Sequence, residues 1–552
     1  KIRDKRPFVS RHLVMIRVLL LVALLAVAEA RRPLFFNGRP KGGFVNGAIQ
    51  RSQAAADLFP GQTLSNFTQK LDHFNPIDTG RWDQRVYYNP SYADKDKSSG
   101  QDIIFLMVGG EGEEPPKWSG DPKVQIMQYA ATYGAVVYDL EHRFFGMSRP
   151  INDMKTESLR LLTTQQALAD LAYFITVTNQ KMGYSNPKWI TFGGSYPAQL
   201  AAKMRSKYPE LVAAAVGSSA PLHLQLDTYG YAEGVQQVLE ATPITNSQGK
   251  TCPDLVREAF DKMQQLSLTR EGRKTLNAQM HLDPPFDDNT NKHDIINMFA
   301  NIYGTFQGMI QYTYDGRSEA SKYNTTAAEL CRIMNQEGKD PVDNVWDLNV
   351  YSAAVYGEEL TSFANNYTAM IEEVKQTDWD LLGEDGASDR GWTWICCNEL
   401  GAFQTTDSDT VFGSVLPMGY FFDMCTDMFG SEINATYVRD NNSASQVYYG
   451  GEDYFDATNV ILPSGMFDPW HMISYFNTDE SKNLITLKIE GAAHCSDMYP
   501  EYDGEPKALP AARQRIREFL TGIVYDADHP QKSASSLSLT VLIAGIVAKL
   551  LM

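Results

Sequence analysis

Short runs of bulky apolar residues alternate with longer stretches of helical period along the first part of the chain. Ile103 to Val108, Gly134 to Leu140, Trp189 to Phe192 and Leu211 to Val216 are apolar almost throughout, the pattern of strands buried on both faces. Trp82 to Tyr88 alternates instead, as a strand with one wet face does. Between these runs, Gln125 to Thr132 and Thr163 to Gln180 space their apolar residues as helices. Strand and helix in turn predict an α/β protein with a mostly parallel, doubly wound sheet. The alternation stops near Leu222. From there to about Tyr449 the sequence is rich in helix formers and tyrosine, and reads as a mainly helical insertion over the sheet's C-terminal edge. Strand patterning resumes at Asn459 to Gly465 and Leu484 to Ile489, and a helix from Ala511 to Thr521 closes it. No internal repeat is evident. The expected division is a leader and signal segment (1–30), a mobile or propeptide-like arm (31–58), the first part of the sheet domain (59–223), the helical insertion (224–450), its second part (451–525) and a spacer with an apolar tail (526–552).

Composition narrows the class. The 552 residues are 43% hydrophobic and 21% charged, ordinary for a globular protein with a large core. A net charge of −18 argues against nucleic acid as a partner. Met15-Ile16-Arg17 leads into an apolar run that ends in small residues at Ala30, the pattern of a secretory signal peptide, with Lys1 to Val14 preceding its start. Secretion suits the even count of six cysteines, Cys252, Cys331, Cys396, Cys397, Cys425 and Cys495, whose pairing the sequence leaves open among fifteen arrangements. It also suits glycan acceptor sequons at Asn66, Asn324, Asn366, Asn434 and Asn441. Leu537 to Met552 is a second apolar run behind a polar spacer. It reads as a GPI-anchor signal, a route to membrane attachment, with a frayed apolar terminus as the other reading. No metal or organic cofactor is implied.

The chemistry centres on Lys188 to Met204, KWITFGGSYPAQLAAKM. A bulky strand meets Gly193-Gly194-Ser195, and a helix follows. Strand, tight turn with a serine, helix: this is the nucleophile elbow of the α/β-hydrolase fold. Small neighbours let strand and helix approach while the serine hydroxyl projects. Pro197 stands where the usual pattern has glycine; proline is tolerated in a first helical turn. The Tyr196 N–H survives as an oxyanion donor. Any Gly-Gly-Ser between strand and helix can also be a plain turn.

The rest of the fold supplies partners in the order serine, acid, histidine. Asp468, in SGMFDPWH, follows one late strand, and His494, in EGAAHCSDM, follows the last. Ser195 is then the nucleophile, His494 the base and later acid, and Asp468 the group that orients the imidazole. The rival His471 reads as a helix cap. Gly109-Gly110, in the GGEGE loop after an early strand, stand where the fold places its other oxyanion donor, though glycines there can simply turn the chain. His142, in the charged cluster EHRFFG, reads as structural.

Seven pieces, QKLDHFNP, GGEGE, LEHRFFGMSRP, FGGSYPAQLAAKMRSKYP, CNELGAFQT, SGMFDPWH and GAAHCSDM, lie in order from Gln69 to Met498. Together they resemble the prolyl carboxypeptidase, dipeptidyl-peptidase II and thymus-specific serine protease family, and most of all its thymus-specific branch. The resemblance implies an α/β-hydrolase with a helical insertion, a secretory or lysosomal (or otherwise extracellular) placement, and exopeptidase action beside proline. It gives Ser195, Asp468 and His494 the triad roles, and Tyr196 with Gly109 and Gly110 the oxyanion hole. Pro197-Ala198 departs from the Gly-Gly that often follows Ser-Tyr in the carboxypeptidase branch, which leaves the trimmed end open. One of the neighbours Cys396 and Cys397 is expected to pair with Cys425. Trp392, Trp394, Tyr420 and Phe421 are candidates for a proline pocket, and otherwise core. The partners expected are proline-containing peptides, with a homodimer a further candidate. An esterase or lipase would need a more apolar lid than this acid-rich insertion, and a non-catalytic binding protein would usually have lost one of the three triad residues.

Overall fold

The computed structural model describes residues 35–36, 38–40, 58–314, 324–355, 357–451 and 454–525. The signal-peptide run and the C-terminal apolar run lie outside the described residues.

Eight strands form the central sheet: β1 Thr63–Lys70, β2 Arg81–Asn89, β3 Ile103–Val108, β4 Val136–Leu140, β5 Lys188–Gly194, β6 Val212–Ser218, β7 Val460–Gly465 and β8 Leu484–Ile489. Their spatial order is β8-β7-β6-β5-β3-β4-β2-β1. β2 runs antiparallel to both its neighbours, and every other pairing is parallel. The apolar runs became the middle of this sheet because helices cover both faces there; every residue of β3 and of β7 is buried. β1 was not anticipated. It is an edge strand, TLSNFTQK, in which only Phe67 and Gln69 are buried, so its apolar signal is faint. Gln69 Nε2 is satisfied by Gln84 Oε1 and the Asp170 carbonyl, which makes burial of an amide tolerable.

Helices α1 Gln125–Tyr133, α2 Thr164–Met182 and α3 Tyr196–Lys207 connect the early strands, and Leu509–Tyr525 closes the chain against the sheet. α2 begins where Thr163 caps it, its hydroxyl accepting from the Gln166 N–H, and ends at Gly183 in the left-handed region. The motif QKLDHFNP is held to α2 by hydrogen bonds at Asp170, which contacts His73 Nε2 at 2.8 Å and accepts from both Nε and Nη2 of Arg143 at 2.6 Å. Arg143 and Asp170 are buried, so losing either would strand the other's charge.

Between β6 and β7 the chain is mostly helical. Its long members include Gly230–Glu240, Cys252–Ser267, Lys292–Gln311, Trp379–Ile395 and Met418–Phe429. Two disulfides staple it, Cys252–Cys331 and Cys397–Cys425, while Cys396 and Cys495 are buried outside any disulfide. Arg390, itself buried, donates to the carbonyls of Met154, Val374 and Met428, tying three segments of this layer and its floor together. Among the described residues, no helix is long and apolar enough to cross a membrane.

Candidate active site

The elbow is strained where the serine sits. Ser195 has φ 63° and ψ −128°, a region costly for any residue with a side chain, by about 1–3 kcal/mol. The neighbours make this conformation affordable sterically. A Cβ on Gly193 would lie 2.3 Å from the Pro197 carbonyl oxygen, and one on Gly217 of β6 would lie 3.0 Å from that of Ala198. Only glycine lets β5, α3 and β6 close this tightly. The Ser195 N–H is held by the Ser218 carbonyl at 2.9 Å, and Ser195 remains half-buried while its surroundings are buried.

Asp468 and His494 arrive from the ends of β7 and β8. His494 Nδ1 lies 2.7 Å from Asp468 Oδ2, and both side chains are fully buried. The other carboxylate oxygen, Oδ1, accepts from the Trp470 N–H at 3.0 Å, which fixes the plane of the acid. His471 contacts the Asp468 carbonyl through Nδ1 at 2.7 Å, within the short helix Pro469–Ile473, and stays out of the pair. The His494 loop is pinned twice more. Cys495 N–H donates to Ser219 Oγ, and Ser218 Oγ donates to Asp497. Burial pushes the Asp497 carboxyl up to about 6, against the pull of the Ser218 hydrogen bond and Arg513.

Gln311, at the end of Lys292–Gln311, had no signal in the sequence. Its carbonyl accepts the His494 N–H at 3.0 Å, and its Oε1 accepts from Trp470 Nε1 at 2.9 Å and Tyr231 Oη at 2.7 Å. One residue of the helical layer thus holds both loops, the acid loop through its side chain and the histidine loop through its backbone carbonyl.

The glycine loop after β3 lies against the elbow. A Cβ on Gly110 would sit 2.4 Å from Pro197 Cγ. Gly109 differs from expectation: its N–H is donated to the Leu140 carbonyl at 2.9 Å, extending the sheet, so it is committed to the strand. Its role is steric, since a Cβ there would meet the Leu140 oxygen at 2.6 Å. Tyr196 opens α3, where an N–H has no acceptor within its own helix.

His142 lies beside the site as a support. Its Nε2 contacts Tyr196 Oη at 3.1 Å and its Nδ1 contacts the Arg143 carbonyl at 2.8 Å. Burial pulls its pKa down to about 4, so it is neutral at ordinary pH. The neighbouring Glu141 is ion-paired with Arg85 at 2.6 Å, and burial nonetheless raises it to about 7. Of the four aromatic candidates, Trp394 is wholly buried, with its Nε1 donating to the Leu162 carbonyl. Trp392 packs edge-on against Tyr196 at 5.8 Å. Tyr420 and Phe421 line a small cavity with Gln307 and Gln404.

Strand order, the antiparallel β2 and the serine at the β5–α3 turn define an α/β-hydrolase. Within that class, the sequence pattern of the Serine carboxypeptidase S28 family matches residues 69–516, and the chain belongs to this family of serine-type peptidases. Relatives run nearly the whole length. The Caenorhabditis elegans protein F56F10.1 is 47% identical over 541 residues, covering 96% of this chain and 98% of that one. The thymus-specific serine protease of Homo sapiens is 30% identical over 459 residues, 81% of this chain and 84% of its own. The lysosomal Pro-X carboxypeptidase of Homo sapiens is 27% identical over 462 residues, 81% and 85% respectively.

Proposed function

We propose that this peptidase is a secreted or lysosomal exopeptidase that cleaves beside proline near a chain end, using Ser195, His494 and Asp468 to form and hydrolyse an acyl-enzyme. The reading rests on one observation: a fully buried His494–Asp468 pair at 2.7 Å on the loops that follow the last two strands, with Ser195 on the strained elbow of the same sheet. In this reading His494 takes the Ser195 proton as the hydroxyl attacks the carbonyl carbon. Asp468 holds the imidazole tautomer and offsets the positive charge that develops. The Tyr196 and Gly110 N–H groups receive the oxyanion, where fixed dipoles in a dry site act strongly. His494 then returns the proton to the leaving amine, and water repeats the cycle on the ester. The proline preference is supported by the relationship to a Pro-X carboxypeptidase, and a chain-end preference by the helical layer above the sheet.

The test compares the secreted protein with Ser195→Ala on two reporters, one with a free amino terminus before Xaa-Pro and one with a blocked amino terminus and a free carboxylate after Pro-Xaa. Ser195-dependent release from either supports the reading and names the end. Cleavage of a simple ester alone would remove the proline specificity, and failure on all three in folded protein would remove the triad.

A further inference from the structure

A short segment ahead of the sheet domain, residues 38–40, lies beside the candidate active site. Phe35–Phe36 and Arg39–Pro40 pair as a small antiparallel ladder, and Gly38 and Arg39 are buried. At Gly38 an added Cβ would lie 2.8 Å from Trp470 Cζ2 and 2.9 Å from Gln404 Nε2. Trp470 is the residue whose N–H fixes Asp468. Arg39, only 3% exposed, donates from Nε to the Glu111 carbonyl at 2.7 Å and from Nη1 to Asp389 Oδ1 at 2.8 Å. Glu111 follows Gly110 in the loop against the elbow, and Asp389 lies one turn before Trp392, the ring packed on Tyr196. Gly38 and Arg39 therefore span from the acid loop to the loop after β3, and Arg39 bonds to the helical layer above.

The surroundings of Arg39 are those of a cation site. Glu111 is buried, and its Oε2 has no hydrogen-bond partner among the described residues. Burial raises its pKa, with Arg39 and His494 pulling it back down, so the carboxyl lies within electrostatic reach of both. A guanidinium with planar, forked donors fits a carbonyl and a carboxylate held at an angle better than an ammonium does.

We propose that the Glu111 carbonyl and the Asp389 carboxylate form an arginine subsite of the peptide cleft, and that Arg39 of the chain's own arm fills it as an intramolecular competitor of substrate. This rests on the cleft over Ser195 being the peptide site. A chain in which the arm is docked most of the time binds peptide more weakly by the fraction of molecules left open. Substrates or inhibitors that displace the arm carry an arginine at the matching position.

The experiment measures the rate at which a fluorophosphonate labels Ser195 in the full chain, in Arg39→Ala and in Arg39→Ala/Asp389→Asn. Labelling needs access to the serine and no particular peptide specificity. The expected result is labelling about tenfold faster in Arg39→Ala than in the full chain. The synthetic peptide Phe-Phe-Asn-Gly-Arg-Pro should then slow labelling of Arg39→Ala, while its citrulline analogue, which keeps shape and loses charge, does so about tenfold less well. The double variant should no longer distinguish the two peptides. Equal labelling of the full chain and Arg39→Ala, or equal action of the two peptides on Arg39→Ala, would overturn the proposal. Should no variant label, the nucleophile assignment falls by itself; fluorescence anisotropy of the two labelled peptides on Arg39→Ala then decides the subsite, an arginine preference upholding it and equal binding rejecting it.

Discussion

Asp468 Oδ2 lies 2.7 Å from His494 Nδ1 with neither side chain exposed to water, although the two residues come from different loops. An unexposed carboxylate beside an imidazole fixes which nitrogen carries the proton and turns the other toward the remainder of the site. Replacing Asp468 with Asn keeps the shape and loses the charge. The expected outcome is a fall in kcat of about ten-thousandfold with an unchanged circular dichroism spectrum. A variant with near-normal kcat would show that the pair is not part of the reaction.

The contact between Gly110 and Pro197 makes a second expectation. Gly110→Ala would drive a methyl group to 2.4 Å from Pro197 Cγ and 2.9 Å from Cδ, but 3.9 Å from Cβ. The loop and elbow must separate, and with them the Tyr196 and Gly110 N–H groups proposed to receive the oxyanion. Activity should fall by about a hundredfold or more, mostly in kcat. Because Pro197→Ala deletes Cγ and Cδ, the double variant should regain much of the loss. If Pro197→Ala brings no recovery, the loop and elbow are not coupled through this contact.

Asp497 gives a pH signature. Its folded-state pKa is raised from 3.8 to about 6, chiefly by burial. Between those values the folded chain holds a proton that the unfolded chain has lost, so this group's contribution to stability falls as pH rises through that window. It is fully present below the lower value. In Asp497→Asn the term is absent. The stability advantage of the parent over the variant should therefore shrink by about 2 kcal/mol between pH 4 and pH 7 in urea denaturation. A gap that stays constant with pH would mean the carboxyl titrates normally in the fold.

The two disulfides should differ in weight. Cys252–Cys331 closes 79 residues and Cys397–Cys425 closes 28. If the main effect is on the unfolded chain, removing the first with a Cys252→Ser/Cys331→Ser pair costs about 4–5 kcal/mol and removing the second somewhat less. Denaturant titration of the two double variants would show the order, and a reversed order would point to native packing around Cys397 instead.

Much of this architecture was legible because local sequence and final environment agree. β3 to β7 are apolar runs that end up in the interior of the sheet, covered on both faces, and the Gly-Gly-Ser turn is forced by sterics that operate within a few residues. Asp468 and His494 could be placed because each follows a late strand, where the topology leaves one loop apiece. The edge strand β1 was not legible, since a strand with a wet face and a buried glutamine leaves little pattern. The glycines of the loop after β3 were visible, but the bonding of their N–H groups was not: that Gly109 donates to the Leu140 carbonyl depends on β4, a distant partner in sequence.

The sequence by itself therefore determined the alternation of strands and helices, the elbow and the order of the catalytic candidates, because these follow from period, size and turn sterics within short stretches. Tertiary structure alone decided that Gln311 holds both the Asp468 and the His494 loop, that His142 supports Tyr196, that Cys397 rather than Cys396 bonds Cys425, and that Arg39 reaches Glu111 and Asp389. Each of those is a contact between segments far apart in the chain, made by residue types common everywhere. Only the folded path brings such groups within hydrogen-bonding distance, and no local pattern records it.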